Sequence, residues 1–415
     1  MSVLPSASYS AGSSGYLAPV PVRSGWREQV RVWWGELDHT LLLLITLLMA
    51  LGVVAVLAAS PASADQLSTS SVRLDPFLFF KRHVVWLAAG FSGMIAVSFL
   101  SRDRARQVGI VVALVMFGLL MLVPLIGFER NGAVRWINLG MSLQPSEFLK
   151  PGFAIALAWI LSWRMRDPHL PVFWLVTGIT LACASLLMLQ PNLGETLLFL
   201  GTWFVLIFLS GVSMWKIGGI IAAGPAALAI IYLTYENGRN RIDAFLQGGT
   251  AFDQVDLANR TMLNGGWSGT GLWLGNRKFN LPEAHTDYIF SVIGEEFGLL
   301  ACALVGILYL AVITRVLVRL AGEEDMFALL AGTGLIAQFG GQAFINMAVN
   351  LELSPATGTT LPLISYGGSS MLAVCFTLGL LLAITRRNPF LERDVPGLRS
   401  LFERRGATER QESAA

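Results

Sequence analysis

The strongest constraint in this chain is a series of long apolar runs that pass with almost no charge, at residues 39–60, 83–101, 107–126, 145–163, 171–189, 193–213, 217–235, 289–314, 326–350 and 368–385. An apolar run of about 20 residues crosses the ~30 Å hydrocarbon core of a bilayer as an α-helix. Composition agrees: 54% of the 415 residues are hydrophobic and 13% are charged, against about 25% charged in an average soluble domain. Those figures exclude an ordinary soluble enzyme and a disordered scaffold. The expected fold class is all-α, a polytopic membrane protein of about ten transmembrane helices. Residues 39–387 form the membrane domain, residues 236–288 the one long extracytoplasmic connection before the eighth helix, and residues 1–38 and 388–415 flexible cytoplasmic tails.

Pro61-Ala62-Ser63-Ala64 resembles a signal-peptidase site, but about 38 polar residues precede the first run, and that run is long enough to span. It reads as an uncleaved first helix. The net charge of +2 offers no basic face for nucleic acid. Cys183, Cys302 and Cys375 lie inside apolar runs, so no disulfide framework is expected. His39, His83, His169 and His285 are scattered, and no CxxC suggests zinc.

With so few charges, their positions are legible. Arg23, Arg27 and Arg31 precede the first helix; Arg102, Arg104 and Arg106, then Arg164 and Arg166, Lys216, Arg315 and Arg319, and Arg386 and Arg387 occupy alternate connections. Positively charged loops stay in the cytoplasm, so both termini are expected there. The opposite connections nevertheless carry Arg130, Arg135, Arg239, Arg241, Arg260, Arg277 and Lys278. Base on the disfavoured side suggests a task such as holding an anion, although long loops also tolerate it.

Two segments break the hydropathy pattern. Gly265-Gly266-Trp267-Ser268-Gly269-Thr270-Gly271 is a weak candidate for a phosphate cradle, since GxxxxGK[ST] is missing. Residues 351–370 are nearly uncharged yet rich in Pro, Gly, Ser and Thr. Such backbone cannot face lipid, so it is re-entrant or packed over the mouth of the bundle.

Three constellations sit at helix ends opposite the basic loops. Pro282-Glu283-Ala284-His285-Thr286-Asp287, followed by Glu295 and Glu296, places carboxylates and a histidine at the start of the eighth helix. Asp287 reads equally as a general base facing a cavity and as part of a helix cap. Glu147 and Lys150 are three apart on one helical face, a costly ion pair for a membrane helix. Arg135 beside Trp136 can clamp a phosphate and stack a sugar, or Trp136 is an interfacial belt residue. Gln190-Pro191-Asn192-Leu193-Gly194-Glu195 reads as a turn and cap, and Asn346 and Asn350 as interhelical glue.

Taken in order, NGAVRWINLG, QPSEFLK, QPNLG, LPEAHTDYIFSVIGEEFG and TLPLISYGGSS resemble the SEDS family of bacterial shape, elongation, division and sporulation proteins, over about residues 39–388. The resemblance implies a peptidoglycan glycosyltransferase that polymerises lipid II at the outer face of the bacterial cytoplasmic membrane. It makes Asp287 the catalytic residue and gives functional weight to Trp136, Glu147 and Lys150. Asn192 stands where the family often has aspartate, so that position is not the essential acid here. In the implied inverting transfer, Arg135, Lys150, Arg260 and Lys278 help a divalent cation, Mg or Mn, to bind the pyrophosphate, with no organic cofactor. Glu283, His285, Ser365 and Tyr366 belong to the same motifs and are expected to bind substrate. A class B penicillin-binding transpeptidase and other divisome proteins are the implied partners. The polar N-terminal extension and short basic C-terminal tail favour the division branch at the septum over the elongation branch. A lipid II flippase would be expected to carry polar residues through the midplane and paired broken helices; a scaffold would not need Glu147, Lys150 and Asp287 on one face.

Overall fold

The computed structural model describes residues 25–69, 72–130, 133–138, 140, 142–165, 167, 169–246 and 254–386. The described elements are, in order, α1 (Trp26–Glu36), α2 (His39–Leu67), α3 (Leu78–Ser98), α4 (Arg102–Ile126), β1 (Phe128–Arg130), β2 (Ala133–Asn138), β3 (Ser142–Leu143), α5 (Pro145–Ser162), α6 (Val172–Leu189), α7 (Leu193–Leu209), α8 (Met214–Thr234), α9 (Glu236–Leu246), α10 (Gln254–Asn264), α11 (Ile289–Leu320), α12 (Met326–Asn350) and α13 (Gly368–Thr385). A helix stands at each of the ten expected spans. Among the described residues, α2, α4, α6, α8, α11, α12 and α13 are long and apolar enough on their own to cross a membrane. Of the other three, α7 is shorter, α3 carries Lys81 and Arg82, and α5 carries Glu147 and Lys150.

Three features depart from the expectation. Residues 26–36, assigned to a polar tail, form α1. Trp33 anchors it: its ring stacks on Phe99 at 4.2 Å and its indole donates to Ser98 Oγ at 3.1 Å. The connection after α4 is a small antiparallel sheet in the order β1-β2-β3. The long connection 236–288 contains α9, α10 and a 3-10 turn at Arg277–Asn280.

α5, α12 and α13 form the centre and are strongly enclosed. α4 lies along α5, α13 along α3, and α12 against α5, α7 and α11. Residues 351–367 dip back into this bundle, as their composition required. The Tyr309 hydroxyl, well inside α11, donates to the Pro362 carbonyl, and Gly52 in mid-α2 lies against the backbone of Leu363 and Ile364.

α11 is broken rather than continuous. Gly298 has φ 84° and ψ 173°, a conformation that glycine adopts at little cost. The freed backbone groups must be satisfied in the protein, and the glycine-rich loop satisfies them. Leu299 N–H donates to the Gly266 carbonyl at 2.9 Å, while Thr270 and Gly271 N–H donate to the Glu295 and Glu296 carbonyls at 2.9 and 3.0 Å. A Cβ on Gly269 would overlap the Glu296 carbonyl oxygen. The loop is therefore a backbone splint, and the amides of Thr270 and Gly271 are not available for a phosphate.

A charged knot closes the opposite end. Asp38, the N-cap of α2, accepts from Leu41 N–H at 3.0 Å, from Arg315 at 2.9 and 3.1 Å and from Arg319 at 3.2 Å. Arg102 pairs with Glu323 at 2.8 Å, so α2, α4, α11 and the α11–α12 turn are locked together. Burial raises the Asp38 pKa, but the Arg315 bond, the Leu41 amide and the charge of Arg319 outweigh it, so the pKa lies below its usual value.

Two outcomes follow from this packing. Gly298→Ala forces a side chain onto the Trp267 carbonyl at a strained φ, and the purified protein should lose at least about 2 kcal/mol in chemical denaturation. A depressed carboxyl pKa contributes stability that is present above the ordinary value near ~3.9 and lost as pH falls through the lowered one. The melting temperature in detergent should accordingly fall below about pH 4, and Asp38→Asn should flatten that acid limb while lowering stability at neutral pH.

Candidate active site

The helix ends and connections opposite the Asp38 knot carry most of the motif residues. Asp287 lies in the turn 281–288 that leads into α11. Its backbone carbonyl accepts from Asn346 Nδ2 at 2.7 Å and Asn350 Nδ2 at 3.1 Å. Asn346 also donates to the Thr359 carbonyl at 2.7 Å, which ties the turn to the re-entrant segment. Capping at α11 falls to another residue: Asn350 Oδ1 accepts from Ser291 N–H at 3.2 Å and Ser291 Oγ at 2.7 Å. Asn346 and Asn350 are thus the expected glue, applied to the turn that carries the candidate base.

Arg135 reaches the same place from β2. Its Nε donates to the Gln190 carbonyl at 3.0 Å and its Nη2 to the Pro191 carbonyl, so the α6–α7 turn fixes the guanidinium. Between Arg135 and Asp287 stands Gly358, with φ +70°. A Cβ there would lie 3.7 Å from Asp287 Oδ2 and 4.0 Å from Arg135 Nη1. Glycine at this position lets carboxylate and guanidinium face a common space. Burial lowers the Arg135 pKa, opposed by the charge of Glu195, while Arg241 lowers it further and Tyr235 and Asp287 raise it. An arginine nonetheless stays protonated. Arg241, on α9, donates to the Ala356 carbonyl at 2.6 Å, which brings a second guanidinium to the group.

The second cluster lies one layer deeper. Lys150 Nζ is 2.7 Å from Glu147 Oε2 and 3.9 Å from Glu195 Oε1, and donates to Gln342 Oε1 at 2.8 Å. Gln144 donates to Glu195 Oε1 at 3.2 Å. Glu147, Lys150 and Glu195 are all buried. Two carboxylates around one ammonium are affordable at a membrane helix only with such partners.

The remaining expected residues divide. His285 is buried between Phe79, 4.3 Å between ring centres, and Tyr366, 5.3 Å. Its carbonyl accepts from Tyr366 N–H at 2.9 Å. Ser365 Oγ donates to the Thr286 carbonyl at 2.6 Å and accepts from Leu361 N–H at 2.8 Å. Glu283 accepts from Thr286 Oγ1 at 2.8 Å. These residues brace the Asp287 turn. Three basic or aromatic candidates are placed elsewhere. Lys278 is completely buried, its ammonium paired with Glu296 and donating to the Ala58 carbonyl at 3.1 Å, because the break in α11 needs that charge internally. Arg260 is exposed and pairs with Asp256 at 2.9 Å on its own helix. Trp136 does not share a face with Arg135, since neighbours on a strand point oppositely; it lies over Phe128, 6.4 Å between ring centres.

Arg241, Gly358, Glu195 and Gln342 belong to this region but were not singled out as binding residues from the sequence. Arg241 carried a signal as base in a disfavoured loop, and Glu195 as part of a motif read as a turn and cap; Gly358 and Gln342 carried none without the fold. Among the described residues no group of three or more His, Cys, Asp and Glu is placed to hold a metal. Arg135 is the positive charge brought to Asp287 across Gly358, and the described residues do not by themselves supply a three-ligand cation site.

Removing one member of a buried charge cluster leaves the others uncompensated. Lys150→Met should destabilise the protein by about 3–5 kcal/mol, and adding Glu147→Gln should recover part of that loss, as read by denaturant unfolding of both variants.

The chain is similar to known proteins over most of its length. A family model for cell cycle proteins, FTSW_RODA_SPOVE, matches residues 38–389. A probable peptidoglycan glycosyltransferase FtsW of Caulobacter vibrioides (strain NA1000 / CB15N) is 34% identical over 366 residues, 88% of this chain and 93% of that protein. One of the same name from Alkalilimnicola ehrlichii is 37% identical over 367 residues, covering 85% and 90%. Among solved structures, a chain of a peptidoglycan synthase complex that coordinates polymerization and crosslinking superposes with a TM-score of 0.67 at 28% identity, covering 84% of this chain and 97% of that one. The rod shape determining protein RodA of Thermus thermophilus gives 0.62 at 28% identity, covering 85% and 98%. This chain belongs to the FtsW, RodA and SpoVE family of cell cycle proteins, the SEDS family to which its motifs pointed.

Proposed function

We propose that the chain is a peptidoglycan glycosyltransferase of the division type, which polymerises lipid II into glycan strands. The observation that carries the reading is the meeting of the Asp287 carboxylate and the Arg135 guanidinium across Gly358, at the helix ends and half-buried. A general base needs a fixed position and a polar opening to its substrate. The bonds of Asn346 and Asn350 to the Asp287 carbonyl supply the first.

In this reading the Asp287 carboxylate accepts the proton of the acceptor sugar's 4-hydroxyl. The oxygen attacks the anomeric carbon of the donor with inversion, and the bond to undecaprenyl pyrophosphate breaks. Arg135, with Arg241 beside it, faces the negative charge that develops on the leaving pyrophosphate. Lys150 and Glu147 stand behind this pair and set the field of the cavity floor. The donor set does not build a protein-held cation site, so no step is assigned to Mg or Mn.

The basic connections on the Asp38 side support a cytoplasmic position for that end and for both termini, which puts Asp287 at the outer face of the bacterial cytoplasmic membrane in this reading. The relatives named FtsW support the division branch and the septum as the working place, in preference to elongation. The synthase complex among the similar structures supports a class B penicillin-binding transpeptidase as partner, with other divisome proteins around it.

Purified Asp287→Ala and Asp287→Asn proteins should melt like the parent yet lose polymerisation of lipid II by on the order of 100-fold or more, read as glycan length on gels with the transpeptidase present and absent. Polymer at the parent's yield from either variant would overturn the assignment.

A further inference from the structure

Gln338, Gln342, Asn346 and Asn350 recur at every fourth residue of α12 and so share one face. Three of them are engaged. Asn350 caps α11, Asn346 holds Asp287 and Thr359, and Gln342 accepts from Lys150 while donating to the Thr360 carbonyl at 3.0 Å. Gln338 differs. It is 3% exposed, and neither its Oε1 nor its Nε2 has a protein partner. It borders a cavity also lined by Glu147, Lys150, Gln342 and Thr377, with about 10 Å³ of room for water centres.

Buried polar groups are bonded as a rule. We propose that Gln338 holds an ordered water in this cavity, and that the water completes the hydrogen bonding of the Glu147–Lys150 ion pair. The size and charge of the cavity select the occupant. The space fits about one water, and walls that offer both an ammonium and a carboxylate disfavour an ion of either sign. The partners are also available. Lys150 has three N–H donors, of which Gln342 takes one; Glu147 Oε2 is 2.7 Å away as an ion-pair partner yet has no hydrogen bond, and Glu195 at 3.9 Å is beyond hydrogen-bond reach. Thr377 Oγ1 donates to the Ala373 carbonyl at 2.8 Å and keeps its acceptor capacity. A water that accepts from Lys150 and donates to Gln338 and Thr377 reaches the usual three bonds. Gln338 is then a positioning residue for Lys150, which rests on Lys150 belonging to the substrate site.

The test is a map of the detergent- or nanodisc-held protein at a resolution that shows ordered water, beside lipid II kinetics of Gln338→Met, Gln338→Asn and Lys150→Met. The expected result is water density bridging Gln338 and Lys150. That density is lost in Gln338→Met, whose KM for lipid II rises several-fold with kcat little changed, and both return in Gln338→Asn. No density in the parent, with Gln338→Met melting at a higher temperature as when a dry amide is removed, overturns the water site. Density with an unchanged KM in Gln338→Met overturns the positioning role. If Lys150→Met alters neither KM nor kcat while the density is present, the reading of Lys150 as a substrate-site residue fails and the water site stands.

Discussion

The candidate site depends on a side-chain amide. Asn346 Nδ2 donates to the carbonyls of both Asp287 and Thr359, each at 2.7 Å. Those carbonyls belong to two irregular segments, the 281–288 turn and the re-entrant 351–367 stretch, neither of which can hold itself in place. Asn346 is on α12, among the most enclosed helices of the bundle. A buried helix therefore sets the position of two irregular segments, and this brings Asp287 and Gly358 together. Asn350 adds a second bond to the Asp287 carbonyl and caps the helix that follows, so the same side chains secure the turn and start α11.

The spans were readable because lipid leaves one solution for a long apolar segment. The ends of the site were readable because charges are scarce, which made Asp287, Arg135, Glu147 and Lys150 conspicuous. What escaped was whatever tertiary partners decide. Lys278 and Arg135 look alike in sequence, as base in the same class of connection, yet one is paired with Glu296 inside the protein and the other faces Asp287. Gly298 gave no warning of a break, because the groups that satisfy it come from residues 265–271. The β1–β3 sheet is made of strands of three, six and two residues, too short for alternation to register. Asn346 and Asn350 were legible as polar residues in an apolar run, but the same four-residue spacing extends to Gln342 and Gln338 and acquires meaning only beside Lys150.

The break in α11 and the glycine-rich loop show how backbone chemistry and charge are handled together. A helix interrupted within a membrane bundle exposes donors and acceptors that must be met. Here the loop meets them, and two acidic side chains, Glu295 and Glu296, stand just before the break. Glu295 accepts from the N–H groups of Arg277 and Lys278 at 2.8 and 2.9 Å, and Glu296 neutralises Lys278. That arrangement binds the connection ahead of the Asp287 turn to the body of the protein, so the turn is held on one side by this buried charge pair and on the other by the α12 amides.

Polar groups in the bundle also follow depth. At the level of the loops stand fully charged groups, Arg135, Arg241 and Asp287. In the first turns of α5 and α7 are Glu147, Lys150 and Glu195, where one ammonium stands beside two carboxyl groups. Deeper along α12 come Gln342 and then Gln338, at the midpoint of the helix, opposite Thr377, and these are neutral. The penalty for a charge rises as water and headgroups recede, whereas an amide or hydroxyl needs only a hydrogen-bond partner. A site that works on a charged lipid-linked pyrophosphate is therefore confined to the helix ends, and the descending order from ions to ion pairs to amides is how the bundle supports that site without carrying an isolated charge to its centre.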